Sequence, residues 1–217
     1  MRRPAFLSAL LLAPALVPAA HAEQGDLLVR ARAILVAPTE DTSGVEPAFP
    51  DGSVAVENAV VPELDFTYFL TDRVAAELIL ATSPHDLNGT GDLDGLGDLA
   101  DVWALPPTLT LQYHFAPEAA VRPYAGFGLN YTIFYSEDAS DSLVSAIGET
   151  DIDLDDSVGI AFQAGVDFDL NEDWFANLDV KYIQIDTDAT LTTGTLVNTV
   201  DVDLDPVVAG IGIGRRF

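Results

Sequence analysis

Three patterns in the sequence predict an all-β fold, namely an eight-stranded antiparallel transmembrane barrel of the outer-membrane type. Apolar and polar residues alternate with a period of two through eight separate segments. The connections between these segments are alternately short and long. An export signal opens the chain, and beyond it no segment approaches the ~20 apolar residues of a membrane-spanning helix. A mature chain of this kind would enter a membrane as strands.

The composition excludes several classes of function. The chain has 217 residues, 49% of them hydrophobic, with 35 Asp+Glu against 9 Lys+Arg and a formal net charge of -26. So acidic a protein repels nucleic acid, which we therefore exclude as a partner. The absence of cysteine excludes disulfides, thiolate chemistry and Cys-ligated zinc. The hydrophobic content is too high for a chain that stays disordered.

The export signal covers residues 1–22. Arg2 and Arg3 form its positive start, residues 5–17 are its apolar region, and Ala20-His21-Ala22 is a cleavage site. Cleavage after Ala22 leaves residues 23–217 as a single transmembrane barrel domain. The alternative, a signal anchor, needs a longer apolar stretch than these residues provide.

The eight predicted strands follow from the alternation. In the fourth strand the odd positions from Leu109 to Phe115 are apolar, and the even positions from Thr108 to His114 are polar. The same pattern defines the strands at residues 27–36, 62–70, 74–81, 108–115, 125–135, 158–170, 174–182 and 207–217.

The connections predict the orientation of the barrel. Short turns at residues 71–73, 116–121 and 171–173 alternate with longer segments at 37–53, 85–106, 136–157 and about 191–199. Short turns at one rim and long loops at the other are typical of outer-membrane barrels, whose short rim faces the periplasm. A secreted sandwich or lipocalin-like barrel is the alternative, and it would turn the aromatic face inward.

Long stretches of the chain also resemble the OmpW family of outer-membrane proteins. LPPTLTLQYHF at residues 105–115 and RPYAGFGLNYTIF at 122–134 carry the resemblance, and residues 25–38, 64–85, 162–170 and 205–217 agree with it. The resemblance implies a narrow eight-stranded barrel that passes small hydrophobic compounds across the outer membrane, with alkane-uptake proteins among its relatives. Arg215, where the family usually has an aromatic residue, and the acidity of the chain depart from the pattern.

With the aromatic face toward lipid, the inward positions near the periplasmic end are charged or polar. They are Arg30, Arg32, Glu63, Asp65, Arg73, Glu77, His114, Arg122, Gln163, Asp167, Asp169, Asp179, Lys181 and Arg216. Charges in a narrow lumen are tolerable when they are paired. We therefore expect a salt-bridged floor, with Arg30, Arg32, Arg122 and Lys181 paired to Glu63, Asp65, Glu77 and Asp179. The alternative is that each charge merely fills the interior of a small barrel.

Above this floor the inward positions become apolar. The predicted ligand-binding wall is Ile34, Val36, Ile79, Phe134, Ile183, Ile185, Val202 and Leu204, with His85 and Trp103 at the mouth. At the same level the outward positions are Gln184, Asp186, Asp188, Asp201, Asp203 and Asp205, which cannot face hydrocarbon. The barrel should therefore rise above the bilayer as a hydrophobic cup open to the exterior, or as a simple side-chain core. Trp103 could equally hold its loop at the headgroup level. Asp151, Asp153 and Asp155 have the opposite phase, which predicts a loop or a bulge near Asp156.

The predicted function is to bind small hydrophobic molecules in the apolar lumen and release them laterally into the membrane, without a cofactor. Outer-membrane lipid, lipopolysaccharide and the outer-membrane insertion machinery are the other expected partners, the last reading the terminal Phe217. One rival is a non-conducting structural, adhesion or receptor barrel that acts through its acidic loops, which a plugged lumen would favour. The other is a barrel enzyme at the rim, which a Ser-His hydrogen bond would favour.

Weaker motifs predict no catalytic or metal site. Residues 90–101 resemble a calcium loop, but Thr90 replaces its first carboxylate. Gly210, Gly212 and Gly214 mimic a dinucleotide fingerprint that no helix follows. Ser83, His85 and Asp86 suggest hydrolysis, but no oxyanion partner accompanies them.

Overall fold

The structure, a computed structural model, describes residues 23–217, so the predicted export signal lies outside it. No helix in this part of the chain is long and apolar enough to cross a membrane. Two short helices occur, a 3₁₀ helix at Asp94–Leu96 and the α-helix α1 at Asp141–Ile147. The strands are β1 Leu27–Ala37, β2 Asp41–Thr42, β3 Gly52–Val56, β4 Ala59–Phe69, β5 Val74–Ala81, β6 Ser83–Gly91, β7 Asp98–Leu105, β8 Thr108–His114, β9 Val121–Ala139, β10 Thr150–Leu154, β11 Ser157–Asp169, β12 Trp174–Ile183, β13 Asp186–Thr193, β14 Leu196–Asp203 and β15 Val207–Arg216.

Within residues 23–217, eight antiparallel strands close into a barrel in the order β1, β4, β5, β8, β9, β11, β12 and β15. The ring closes where β15 pairs with β1, with Ile213 opposite Ala31. The predicted eight-stranded fold is therefore confirmed, and each predicted strand overlaps one of these eight.

The connections at one rim are short turns at residues 70–73, 115–120 and 170–173, as predicted. The long segments at the other rim differ from the loops that we expected. Residues 85–106 hold most of β6 and β7, and residues 191–199 are the end of a hairpin that turns at Gly194. Most of these segments form antiparallel strands of their own, which pair with each other and continue the barrel wall upward.

The wall breaks where the lower and upper strands meet. The breaks lie at residues 57–58, 82, 106–107, 155–156, 184–185 and 204–206. Asp155 and Asp156 are both exposed, and this break reverses the phase of β10 relative to β11, as the aspartate pattern predicted. Tyrosines face the breaks from outside: the Tyr131 hydroxyl donates to Asp156 at 2.6 Å, and that of Tyr182 donates to Asp205 at 2.6 Å.

The outer surface below the breaks is apolar, as a lipid-facing surface must be. Val60 is 75% exposed, Leu129 is 61% exposed and Ile211 is 63% exposed. Exposing so many large apolar side chains to water would cost ~25 cal/mol for each Å². The aromatic face therefore points outward to lipid, as predicted, and not into a soluble core. The tyrosines at the breaks mark the outer edge of this band.

Candidate functional site

An aromatic plug closes the periplasmic end of the lumen. Leu28, Phe69, Ala75 and Phe175 form a buried cluster there. The ring of His114 lies 4.7 Å from that of Phe69, between centroids. The inward phase of these residues was readable from the sequence, but their packing into a plug depends on strand register and was not predicted.

Arg30 lies fully buried above the plug. Its guanidinium is 2.9 Å from Asp65 and 3.1 Å from Asp167. Its Cζ lies 5.3 Å from the ring centroid of Tyr124 and 5.4 Å from that of Phe175. Carboxylates and aromatic faces together compensate the charge for its lost hydration.

Arg32 and Lys181 share carboxylates one level higher. The Glu63 carboxylate lies 2.6 Å from the Arg32 Nε and 3.0 Å from the Lys181 Nζ. Lys181 is also 2.7 Å from Asp179, and Arg32 is 2.7 Å from Asp65. This arrangement crosses the lumen, because Glu63 comes from β4 whereas Lys181 comes from β12.

Glu77 connects the two levels. Its carboxylate accepts hydrogen bonds from Thr110 at 3.0 Å and Gln163 at 2.7 Å, and lies 3.4 Å from both Arg30 and Arg32. All of these side chains are buried. We call this network the floor: Arg30, Arg32, Glu63, Asp65, Glu77, Asp167, Asp179 and Lys181.

Two predicted cations differ from expectation. Arg122 is buried, and it forms an ion pair with Asp169 near the periplasmic rim, a carboxylate that was not among the four expected partners. Arg73 is exposed in a turn and donates to the Phe115 carbonyl, so its predicted inward position is wrong. The alternation fails for Arg73 because the strand begins only at Val74.

An apolar cavity lies above the floor. We call its lining the wall. The eight predicted positions all contribute to it: Ile34, Val36, Ile79, Phe134, Ile183, Ile185, Val202 and Leu204. Glu63 and Thr108 line it at the bottom. The lumen is therefore not plugged to the top by side chains.

Residues from three connecting segments pack at the outer end of the cavity, which we had expected to be an open cup. A second buried cluster includes Val45, Leu93 and Leu143, which come from the β2–β3 connection, the start of the 3₁₀ helix and α1. These residues pack with Ile152 and Val200, which line the cavity. We call Val45, Leu93 and Leu143 the cap, which was not predicted, because these segments were expected to be loops.

The two predicted mouth residues lie on opposite sides of the barrel wall. His85 lines the cavity. Trp103 instead lies on the outer face, 37% exposed, with its ring centroid 6.1 Å from that of Tyr135. Trp103 is therefore not at the mouth of the lumen. An outward position is what the alternative required, in which Trp103 holds its loop at the level of the lipid headgroups.

Ser83 and His85 form a hydrogen-bonded pair in the wall. The Ser83 Oγ is 2.8 Å from the His85 Nε2, and the His85 Nδ1 is 3.1 Å from the backbone carbonyl of Glu57. Burial, the largest effect, lowers the pKa of His85, although the Glu57 carbonyl and Asp86 oppose the shift. The group that hydrogen-bonds to the Nδ1 of His85 is therefore a backbone carbonyl. A hydrolytic triad has a carboxylate at this place.

The weaker motifs have structural explanations. In residues 23–217 no cluster of three or more His, Cys, Asp or Glu side chains could hold a metal, and residues 90–101 run from β6 through the 3₁₀ helix into β7. A Cβ at Gly212 would meet the Ala31 carbonyl, and one at Gly214 would meet the Phe175 ring. Close approach in a crowded lumen therefore explains these two glycines.

Comparison with known proteins agrees with this architecture. The OmpW family model matches residues 23–217. The chain is 37% identical to Outer membrane protein W of Vibrio cholerae over 216 residues, which are 98% of this chain and 96% of the relative. It is 34% identical to the dibenzothiophene metabolism operon protein PahQ of Pseudomonas aeruginosa, over 77% of this chain and 76% of the relative. The crystal structure of OprG from Pseudomonas aeruginosa superimposes with a TM-score of 0.84 at 35% identity, covering 91% of this chain and 98% of that one. The chain therefore belongs to the OmpW family of outer-membrane β-barrel proteins.

Proposed function

We propose that this barrel binds small hydrophobic molecules in its apolar lumen and releases them sideways into the outer membrane. The observation that carries the proposal is the cavity above the floor, which apolar side chains surround and the charged floor closes from below. Each Å² of apolar ligand surface that leaves water for such a wall contributes ~25 cal/mol toward binding. No cofactor is needed for this process.

The floor supports a sideways route over a straight one. A hydrophobic ligand that moved along the axis would have to separate Lys181 and Arg32 from Glu63, and breaking a buried pair typically costs ~3–5 kcal/mol. The wall offers weaker places. Pro106 and Pro206 line the cavity where the strands break, and proline donates no hydrogen bond to a neighbouring strand.

The relatives support the ligand class. PahQ belongs to an operon of dibenzothiophene metabolism, and dibenzothiophene is a small, apolar aromatic molecule. The resemblance to the OmpW family implies the same class of compound.

An acidic residue in the wall tests the proposal. Phe134→Asp or Ile183→Asp buries an unpaired carboxylate in the cavity, which should weaken apolar binding by ~1–3 kcal/mol because water can follow the charge. Binding of a fluorescent hydrophobic probe to the barrel in lipid nanodiscs measures the effect, and heat-modifiable migration verifies folding. Phe134→Leu is the control, since it keeps the wall apolar. Unchanged binding in both folded Asp variants would remove the lumen as the site.

A second candidate function follows from the Ser83–His85 hydrogen bond, which is the observation that favours a barrel enzyme. Hydrolysis of chromogenic esters by the purified barrel, lost in Ser83→Ala, would support it. We favour binding because the histidine faces a backbone carbonyl and the surrounding wall is apolar. The acidic-loop rival loses its main support, since the lumen is not plugged.

A further inference from the structure

Among the described residues that line the cavity, Ser83 and His85 are the two polar side chains that hydrogen-bond to each other. The other polar groups among these lining residues are Glu63, Thr108 and Thr187. Glu63 is held by Arg32 and Lys181. The hydroxyls of Thr108 and Thr187 donate to the backbone carbonyls of Pro106 and Asp155.

The surroundings of His85 decide which nitrogen of its ring carries the proton. The Nδ1 lies 3.1 Å from the Glu57 carbonyl oxygen, an acceptor, so this nitrogen must carry the ring proton and donate. The carbonyl is held in place because the Glu57 amide donates to the Asp86 carbonyl at 3.1 Å and the Asn88 side chain donates to the Glu57 carboxylate at 3.1 Å.

The ring then leaves the Nε2 as an acceptor. The Ser83 hydroxyl, 2.8 Å away, must donate its proton to this nitrogen. The Ser83 oxygen keeps its lone pairs and has no proton to offer to the cavity. Burial keeps the imidazole neutral at neutral pH, so the pair attracts no carboxylate by charge.

We infer that Ser83 and His85 form a selective hydrogen-bond acceptor that favours hydrophobic ligands carrying a hydroxyl group, such as long-chain alcohols or phenols. Hydrocarbons make no hydrogen bond to the pair. Ketones and ethers make none either, because their oxygen atoms only accept hydrogen bonds and the Ser83 oxygen has no proton to donate. The inference deepens the proposed function and rests on it, since the ligand must first enter the lumen.

Three ligands of equal chain length test the inference: 1-dodecanol, dodecane and 2-dodecanone. Their competition with a fluorescent hydrophobic probe is measured in nanodiscs, and each affinity is corrected for partition into protein-free nanodiscs. A neutral hydrogen bond predicts a preference of the wild type for the alcohol of roughly three- to ten-fold over the alkane. The ketone should show no such preference.

Two variants separate the roles of the pair. His85→Phe frees the Ser83 proton, so the ketone should gain affinity to the level of the alcohol. The double variant Ser83→Ala with His85→Phe should bind the three ligands with no preference for the alcohol. Thr82→Val removes an exposed hydroxyl that bonds Tyr135 outside the lumen, and it should keep the wild-type preference.

The outcomes are distinguishable. Equal wild-type binding of the three ligands, or a preference that survives in the double variant, would overturn the acceptor and leave the proposed function standing. Failure of all three ligands to displace the probe, in barrels that are folded by heat-modifiability, would overturn both.

Discussion

Lys181 shows how one side chain closes the lumen. Its Nζ lies 3.0 Å from Glu63 and 2.7 Å from Asp179, and all three residues are buried. Carboxylates at this depth are stable because cations replace the water that they have lost. A single missing cation should therefore affect both stability and the passage of ions.

We expect Lys181→Ala to lower the free energy of unfolding by ~3–5 kcal/mol, or less where water enters the gap. The unpaired carboxylates should also raise conductance and favour cations. Urea unfolding in lipid vesicles and planar-bilayer recordings measure the two effects, with Arg215→Ala at the exposed rim as the control. The wild type should show small, rare conductance events. A steady porin-sized current through it would show that the straight route is open, and would remove the reason for sideways release.

At the scale of elements, the β13–β14 hairpin brings like charges together above the membrane. Asp186 lies opposite Asp203, and Asp188 lies opposite Asp201. The Asp201 carboxylate raises the pKa of Asp188 above 3.8, mainly through a shared hydrogen bond and then through repulsion. Burial, followed by repulsion from Asp203, raises the pKa of Asp186. These outward aspartates form an acidic surface above the apolar band.

The raised pKa of Asp188 determines the direction in which the stability of the fold changes with pH. In the pH range above 3.8 and up to the raised value, the folded protein binds more protons than the unfolded chain. Stability should therefore fall as the pH rises through this range. Asp188→Asn should raise the melting temperature at neutral pH and flatten its pH dependence, measured without divalent cations. Asp151→Asn is the matched control, because its cross-strand neighbour is Thr192. Equal pH profiles of the wild type and Asp188→Asn would contradict repulsion between the strands.

For the molecule as a whole, the barrel is a stack of plug, floor, cavity and cap held by one closed ring. The ring is sealed at its end by Phe217, whose amide donates to the Leu27 carbonyl at 2.9 Å. The Phe217 ring is 63% exposed, and the Arg215 guanidinium carbon lies 4.9 Å from its centroid. Its side chain is therefore exposed, while its backbone belongs to the seam.

Phe217→Ala separates these two roles, because it keeps the backbone hydrogen bonds. We expect less heat-modifiable barrel in outer-membrane fractions, with nearly normal refolding of the purified protein in detergent. Phe217→Tyr keeps the aromatic ring and should insert normally. Wild-type levels of inserted Phe217→Ala would argue against an assembly signal at this residue.

The sequence by itself determined the eight barrel strands and the chemistry of each face. A period of two is a local property, so the inward placement of Glu63, Lys181 and Phe134 needed no knowledge of other strands. The rise of the barrel above the bilayer at residues 184–188 and 201–205 followed from the same period, whereas β6, β7 and β10 were expected to be loops, because breaks such as that at Asp155 and Asp156 interrupt the period.

Only the tertiary structure decided which inward residues meet. Arg122 pairs with Asp169, Trp103 faces outward beside Tyr135, and His85 reaches the Glu57 carbonyl. Each of these contacts depends on register and height around a closed ring, which relate residues far apart in the chain. Alternation along one strand specifies a face but not a neighbour, and for this reason the floor could be predicted as a set of charges but not as a set of pairs.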